Sequence, residues 1–145
     1  MRQVLFLVLI FSAPALNADF SKGFKCYEEN DYSCAHKEWT VLADQGHAKA
    51  QYRLGFMYDN GHGVRQDFTQ AMKLWRLAAE QGYVNAQYLI GVAYYKGKSV
   101  KQSYSEAMRW YRLAAEQGYV QVLGKLGFMY EKGQGVRQDQ KIAKE

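Results

Sequence analysis

The chain has 145 residues, is 48% apolar and contains a single proline. That composition excludes an intrinsically disordered protein and leaves room for one ordinary domain. Its net charge of +5 comes from 19 Lys and Arg scattered among 14 Asp and Glu, without the one-sided clustering that a nucleic-acid interface needs.

The chain opens on Met1-Arg2-Gln3, a short positive start, followed by an unbroken apolar run from Val4 to Phe11 and then by small residues, Ser12, Ala13, Ala15 and Ala18. This is the layout of a secretory signal peptide over residues 1–18, with cleavage after Ala18 or after Ala15. The competing reading is an uncleaved anchor, but the run falls far short of the ~20 residues that span a bilayer, so no stable membrane insertion is expected. The protein is therefore expected to be exported, either periplasmic or secreted. Residues 19–145 form the repeat domain.

The first unit, residues 20–47, reads as two antiparallel helices, Phe20 to Glu28 and Tyr32 to Gln45, joined by the turn Glu29-Asn30-Asp31. Cys26 and Cys34 are the only cysteines and flank that turn. In an oxidising compartment such a pair reads as a disulfide, and a tight helical hairpin brings two Cα atoms within disulfide reach. Two buried free thiols are the alternative.

Beyond it the chain repeats at a period of 36 residues. Leu54-Gly55-Phe56-Met57-Tyr58 returns as Ile90-Gly91-Val92-Ala93-Tyr94 and as Leu126-Gly127-Phe128-Met129-Tyr130. Trp75-Arg76-Leu77-Ala78-Ala79-Glu80-Gln81-Gly82-Tyr83 returns as Tyr111-Arg112-Leu113-Ala114-Ala115-Glu116-Gln117-Gly118-Tyr119. The units are 48–83, 84–119 and an incomplete 120–145. A fixed period of this length marks a repeat array, because one such unit cannot bury its apolar face alone.

In the unit 48–83 the first helix is expected over Ala48 to Tyr58 and the second over Phe68 to Gln81. Ala71, Trp75, Ala78 and Ala79 form the inward stripe of the second helix, Asp67 is its N-cap and Gly82 its C-terminal stop. Val64 is expected to plug the intervening loop. Gly55, Gly91 and Gly127 sit inside helices, where glycine costs about 1 kcal/mol relative to alanine, so close helix–helix approach is the expected reason. In the next unit Ser99 and Ser103 replace the second loop glycine and the capping Asp. Ser103 can still cap, but Ser99 suits a positive φ poorly, so this loop is expected to be rebuilt. The last unit keeps barely one turn of its second helix, Gln140 to Glu145.

The pattern A-x-A-Q-Y-x-L-G-x-M-Y-x-x-G-x-G-V-x-Q-D-x-x-x-A-x-x-W-x-x-x-A-A-x-Q-G over residues 48–83 resembles the Sel-1-like repeat family, cousins of the tetratricopeptide repeats. The resemblance implies an all-α, right-handed α-solenoid with the first helix of each unit on the concave side. It also implies an adaptor or scaffold that binds a protein or peptide partner. A cysteine-rich branch of that family pairs cysteines eight apart in every unit and is associated with binding or hydrolysing β-lactams; here the spacing occurs once.

Nothing in the sequence supplies a catalytic constellation. No Ser has a Lys three residues later, no K-T-G occurs, and His36, His47 and His62 lack metal-ligand spacing such as H-E-x-x-H. No catalytic residue, cofactor or metal is expected, and no nucleic-acid partner. The positions that vary between units are the binding candidates, by analogy with tetratricopeptide grooves. They are Lys49, Tyr52, Phe56, Asp59 and Asn60; then Asn85, Tyr88, Val92, Tyr95 and Lys96; then Gln121, Gly124, Phe128, Glu131 and Lys132. Tyr52, Tyr88 and Tyr95 are the expected wet aromatics, whereas Phe56, Val92 and Phe128 fit core packing as well. Gly124 is expected to open a dent where the sister units hold tyrosine. The incomplete C-terminal unit leaves self-association, an assembly role through stacking of that edge, as a further reading.

Overall fold

The computed structural model describes residues 18–136. The expected leader and the short last helix at 140–145 lie outside the described residues. Seven α-helices follow one another: α1 (Phe20–Glu28), α2 (Tyr32–Asp44), α3 (Ala48–Asn60), α4 (Phe68–Glu80), α5 (Val84–Lys96), α6 (Tyr104–Glu116) and α7 (Gln121–Glu131). No strand occurs among the described residues. Each helix packs on the next in chain order, so hairpins stack into an all-α solenoid whose burial accrues between neighbours.

The helices begin and end where side chains satisfy the free backbone groups. Asp31, Asp67 and Ser103 accept from the amides of Cys34, Gln70 and Glu106. His47 does the same for α3, with Nδ1 accepting from Ala50 N at 3.1 Å, a cap outside the usual set. Gly61 and Gly97 terminate α3 and α5 at φ +69° and +70°. The loop after α5 is not rebuilt: Ser99 adopts φ 62°, matching the 69° of Gly63 in the sister loop. The loop geometry is held by the elements it joins, and serine takes the left-handed conformation that glycine would enter at lower cost. Val64, Val100 and Val136 all pack against the cores, so the expected plug is present in each of the three loops.

One aromatic lies against each hairpin's first helix. A Cβ on Gly55 would stand 2.5 Å from Trp75 Nε1, and one on Gly91 would stand 2.5 Å from Tyr111 Cδ1. Gly23 plays the same part toward Trp39, also at 2.5 Å; the shortened first loop hides this correspondence in the sequence. Gly127 has no heavy atom within 4 Å of such a Cβ among the described residues. The stripe Ala71, Trp75, Ala78 and Ala79 is buried. Buried Gln51 and Gln87 donate to the carbonyls of Ala43 and Ala79 at 3.1 and 3.2 Å, tying each α3- or α5-type helix to the preceding helix.

The first hairpin carries two further ties. Cys26 and Cys34 are joined by a disulfide across a Cα separation of 5.8 Å. Buried Glu38 accepts from the Asp19 amide and pairs with Lys22, and the Lys22 hydrogen bond holds its carboxyl below the usual carboxylate range.

Candidate functional site

The varying positions fall on α3, α5 and α7, the first helices of successive hairpins. Helical spacing of three and four places Tyr52 beside Phe56, and Tyr88 beside Val92. The Tyr52 ring meets Phe56 at 5.1 Å and Tyr83 at 5.1 Å. Tyr88 repeats the arrangement with Tyr119 at 5.3 Å and Tyr111 at 6.0 Å. Both tyrosines are half-buried, and burial, then the neighbouring Tyr83, raises the Tyr52 hydroxyl pKa. Phe56 packs edge-on to Trp75 at 5.7 Å, and Val92 packs into the core shared by α6 and α7. Phe128 stays 47% exposed. Asn85 is half-buried, while Lys49, Lys96 and Glu131 are exposed, with Lys49 Nζ 4.5 Å above the Phe20 ring.

The slot of Asp59 and Tyr95 behaves differently from the rest. Lys98 Nζ reaches back from the next loop to Asp59 at 2.7 Å. Tyr95 donates its hydroxyl to Gln134 Oε1 at 3.4 Å. The Tyr27 hydroxyl lies 2.7 Å from His62 Nδ1, and the His62 ring stacks on Tyr32 at 4.8 Å. The three loop residues His62, Lys98 and Gln134 thus each latch onto the end of the preceding unit's first helix. Their variation is paired: His with Tyr, Lys with Asp, Gln with Tyr. Asp59 and Tyr95 read in the sequence as binding candidates, and the pairing becomes visible only once each loop residue is set against the end of the previous first helix.

The Gly124 dent is present. A cavity of about 230 Å³ is lined by Tyr95 of α5 and by Gly124, Lys125 and Phe128 of α7. The sequence reading also missed Tyr83 and Tyr119, which complete the aromatic pairs; the available signal was the equal interval from Tyr52 to Tyr83 and from Tyr88 to Tyr119. A separate hollow of about 650 Å³ lies at the loop side, bordered by His36, Tyr58 and residues 64–68, and holds none of the predicted groove residues. Among the described residues the one cluster of side chains close enough to share a metal ion is Cys26, Asp31 and Cys34, and its two sulfurs are bonded to each other, which removes the thiolates a metal would need. No helix among the described residues is long and apolar enough to cross a membrane.

Comparison with known proteins agrees with this geometry. The chain is similar to c5321, a protective antigen present in uropathogenic Escherichia coli strains and displaying an SLR fold, with 37% identity and a TM-score of 0.78 over 85% of this chain and 27% of that one. It is also similar to a Sel1 repeat protein from Oxalobacter formigenes, with 32% identity and a TM-score of 0.74 over 86% of this chain and 51% of the other. The chain thus spans about a quarter and about half of the lengths of these two proteins. No match is found among the curated proteins. The family model for the Sel1 repeat matches residues 48–83, 84–119 and 123–145, the same register in which the glycine–aromatic crossings recur, and the chain belongs to the Sel1 repeat family.

Proposed function

We propose that this chain is an exported scaffold without bond-making chemistry, which binds a protein or peptide along the face formed by α1, α3, α5 and α7. The carrying observation is the pair of half-buried aromatic clusters, Tyr52 with Tyr83 and Tyr88 with Tyr119, on successive first helices. Rigid amphipathic rings supply contact area at low entropic cost and dominate recognition surfaces. Sel1 repeat proteins act generally as interaction scaffolds, which supports binding over catalysis. The disulfide supports an oxidising compartment, and the antigenic character of c5321 agrees with export. Affinity capture from envelope extracts, run with the wild type beside a Tyr52→Ala/Tyr88→Ala variant, tests the assignment. Partners retained by the wild type and lost by the variant are expected; equal capture by both would remove this face from consideration.

A second reading rests on α7. Val120 and Leu123 are 66% and 55% exposed there, and Gly127 is uncovered among the described residues. Stacking of another chain on this helix predicts an apparent mass that grows with concentration in light scattering; a constant monomer mass rejects it.

A further inference from the structure

The cavity between α5 and α7 differs from the rest of the face in being empty where its sisters are filled. Tyr52 and Tyr88 occupy the positions that correspond to Gly124, and each carries a ring packed against its neighbours. Among the described residues, a Cβ at Gly124 would meet nothing within 4 Å. The missing phenol is therefore an opening on the surface, bounded by Tyr95, Lys125 and Phe128. Its volume of about 230 Å³ exceeds the ~150 Å³ cavity that takes up benzene in a protein core.

One wall is set before anything binds: Tyr95 is braced by the Tyr104 ring at 5.3 Å and by its hydrogen bond to Gln134. Phe128 stands half-exposed on the other side. A braced ring facing an accessible one favours a third ring through offset or edge-on packing. The one charged residue that lines the opening is Lys125, and it makes no ion pair among the described residues.

We infer that this cavity is the anchor pocket of the binding face, taking one phenyl or phenol side chain of a partner peptide in which the aromatic residue is flanked by Asp or Glu. This rests on the binding reading of the face and adds the position and chemistry of the anchor. Gly124→Tyr fills the pocket with the side chain its sister units already carry, at a helical position with open space. Lys125→Glu inverts the rim charge.

Random displayed peptides are selected on the purified wild-type chain, and the recovered sequences, made synthetically, are titrated by fluorescence anisotropy. The selected peptides are expected to share an aromatic residue next to an acid. Their affinity is expected to fall at least about tenfold on Gly124→Tyr, on Lys125→Glu, and on replacing the peptide's own aromatic by alanine, each tenfold being about 1.4 kcal/mol. The peptide substitution leaves the protein untouched, so it decides the matter even where a protein variant folds poorly. Peptides that bind Gly124→Tyr as tightly as wild type but lose affinity for Tyr52→Ala/Tyr88→Ala overturn the pocket and leave the face standing. Peptides indifferent to every variant, or a selection that yields no binder, overturn both.

Discussion

Trp39 and Trp75 donate their indole N–H groups to the carbonyl oxygens of Phe20 and Tyr52 at 3.3 and 3.2 Å. The corresponding slot in the third hairpin holds Tyr111, which is fully buried and whose hydroxyl has no partner among the described residues. Desolvation raises its pKa well above the ordinary phenol value, so it stays neutral and contributes only an unmet hydrogen-bonding requirement. A buried polar group left unpaired costs about 1–3 kcal/mol. Tyr111→Phe keeps the ring against Gly91 and removes the hydroxyl, so urea unfolding is expected to show stability unchanged or raised by up to about 1 kcal/mol. A loss of more than about 1 kcal/mol would mean the hydroxyl has a partner after all. The same slot shows how far the sequence was legible at this scale. The return of Trp75 as Tyr111 marked this slot in the sequence, but the indole-to-carbonyl bond that tryptophan makes there was not visible in residue identity.

The helix crossings were legible because glycine inside a helix is a cost that demands a reason. Two of the three expected crossings are present, at Gly55 and Gly91, and the structure adds Gly23. The inferred close approach makes opposite predictions for chemically identical substitutions. Gly55→Ala gains about 1 kcal/mol of helix propensity but drives a methyl into the buried Trp75 ring, and overpacking costs about 1–3 kcal/mol, so a net loss of up to about 2 kcal/mol is expected. Gly127→Ala meets no neighbour among the described residues and is expected to stabilise by up to about 1 kcal/mol. Thermal and urea unfolding of the two variants check the sign; a destabilised Gly127→Ala would place a close partner on α7. The loop after α5 was misjudged for a related reason. A local preference, serine's aversion to positive φ, was weighed without the helices on both sides, which hold Ser99 at φ 62° as firmly as Gly63 is held in the sister loop.

Across the whole molecule, the positions that vary between units have two kinds of surroundings. Tyr52 and Tyr88 pack in aromatic clusters on successive first helices, and Gly124 lines a dent. Variation at Asp59 is matched by variation at Lys98 in the next loop and serves contact between units. Such nearest-neighbour ties are the way a solenoid holds together, with each unit stabilised by those beside it. The disulfide therefore has a local reach. It joins α1 to α2, and α1 packs chiefly on α2. Closing so short a loop contributes about 2–3 kcal/mol in the chain-entropy model. On reduction, α1 keeps the Glu38 and Trp39 contacts and loosens without taking the array with it. Hydrogen exchange is expected to show faster amides in α1 and the first turn of α2, with α5 and α6 unchanged. Acceleration spread evenly over all seven helices would instead mean that the units unfold as one cooperative block, and the additive picture of this solenoid would fail.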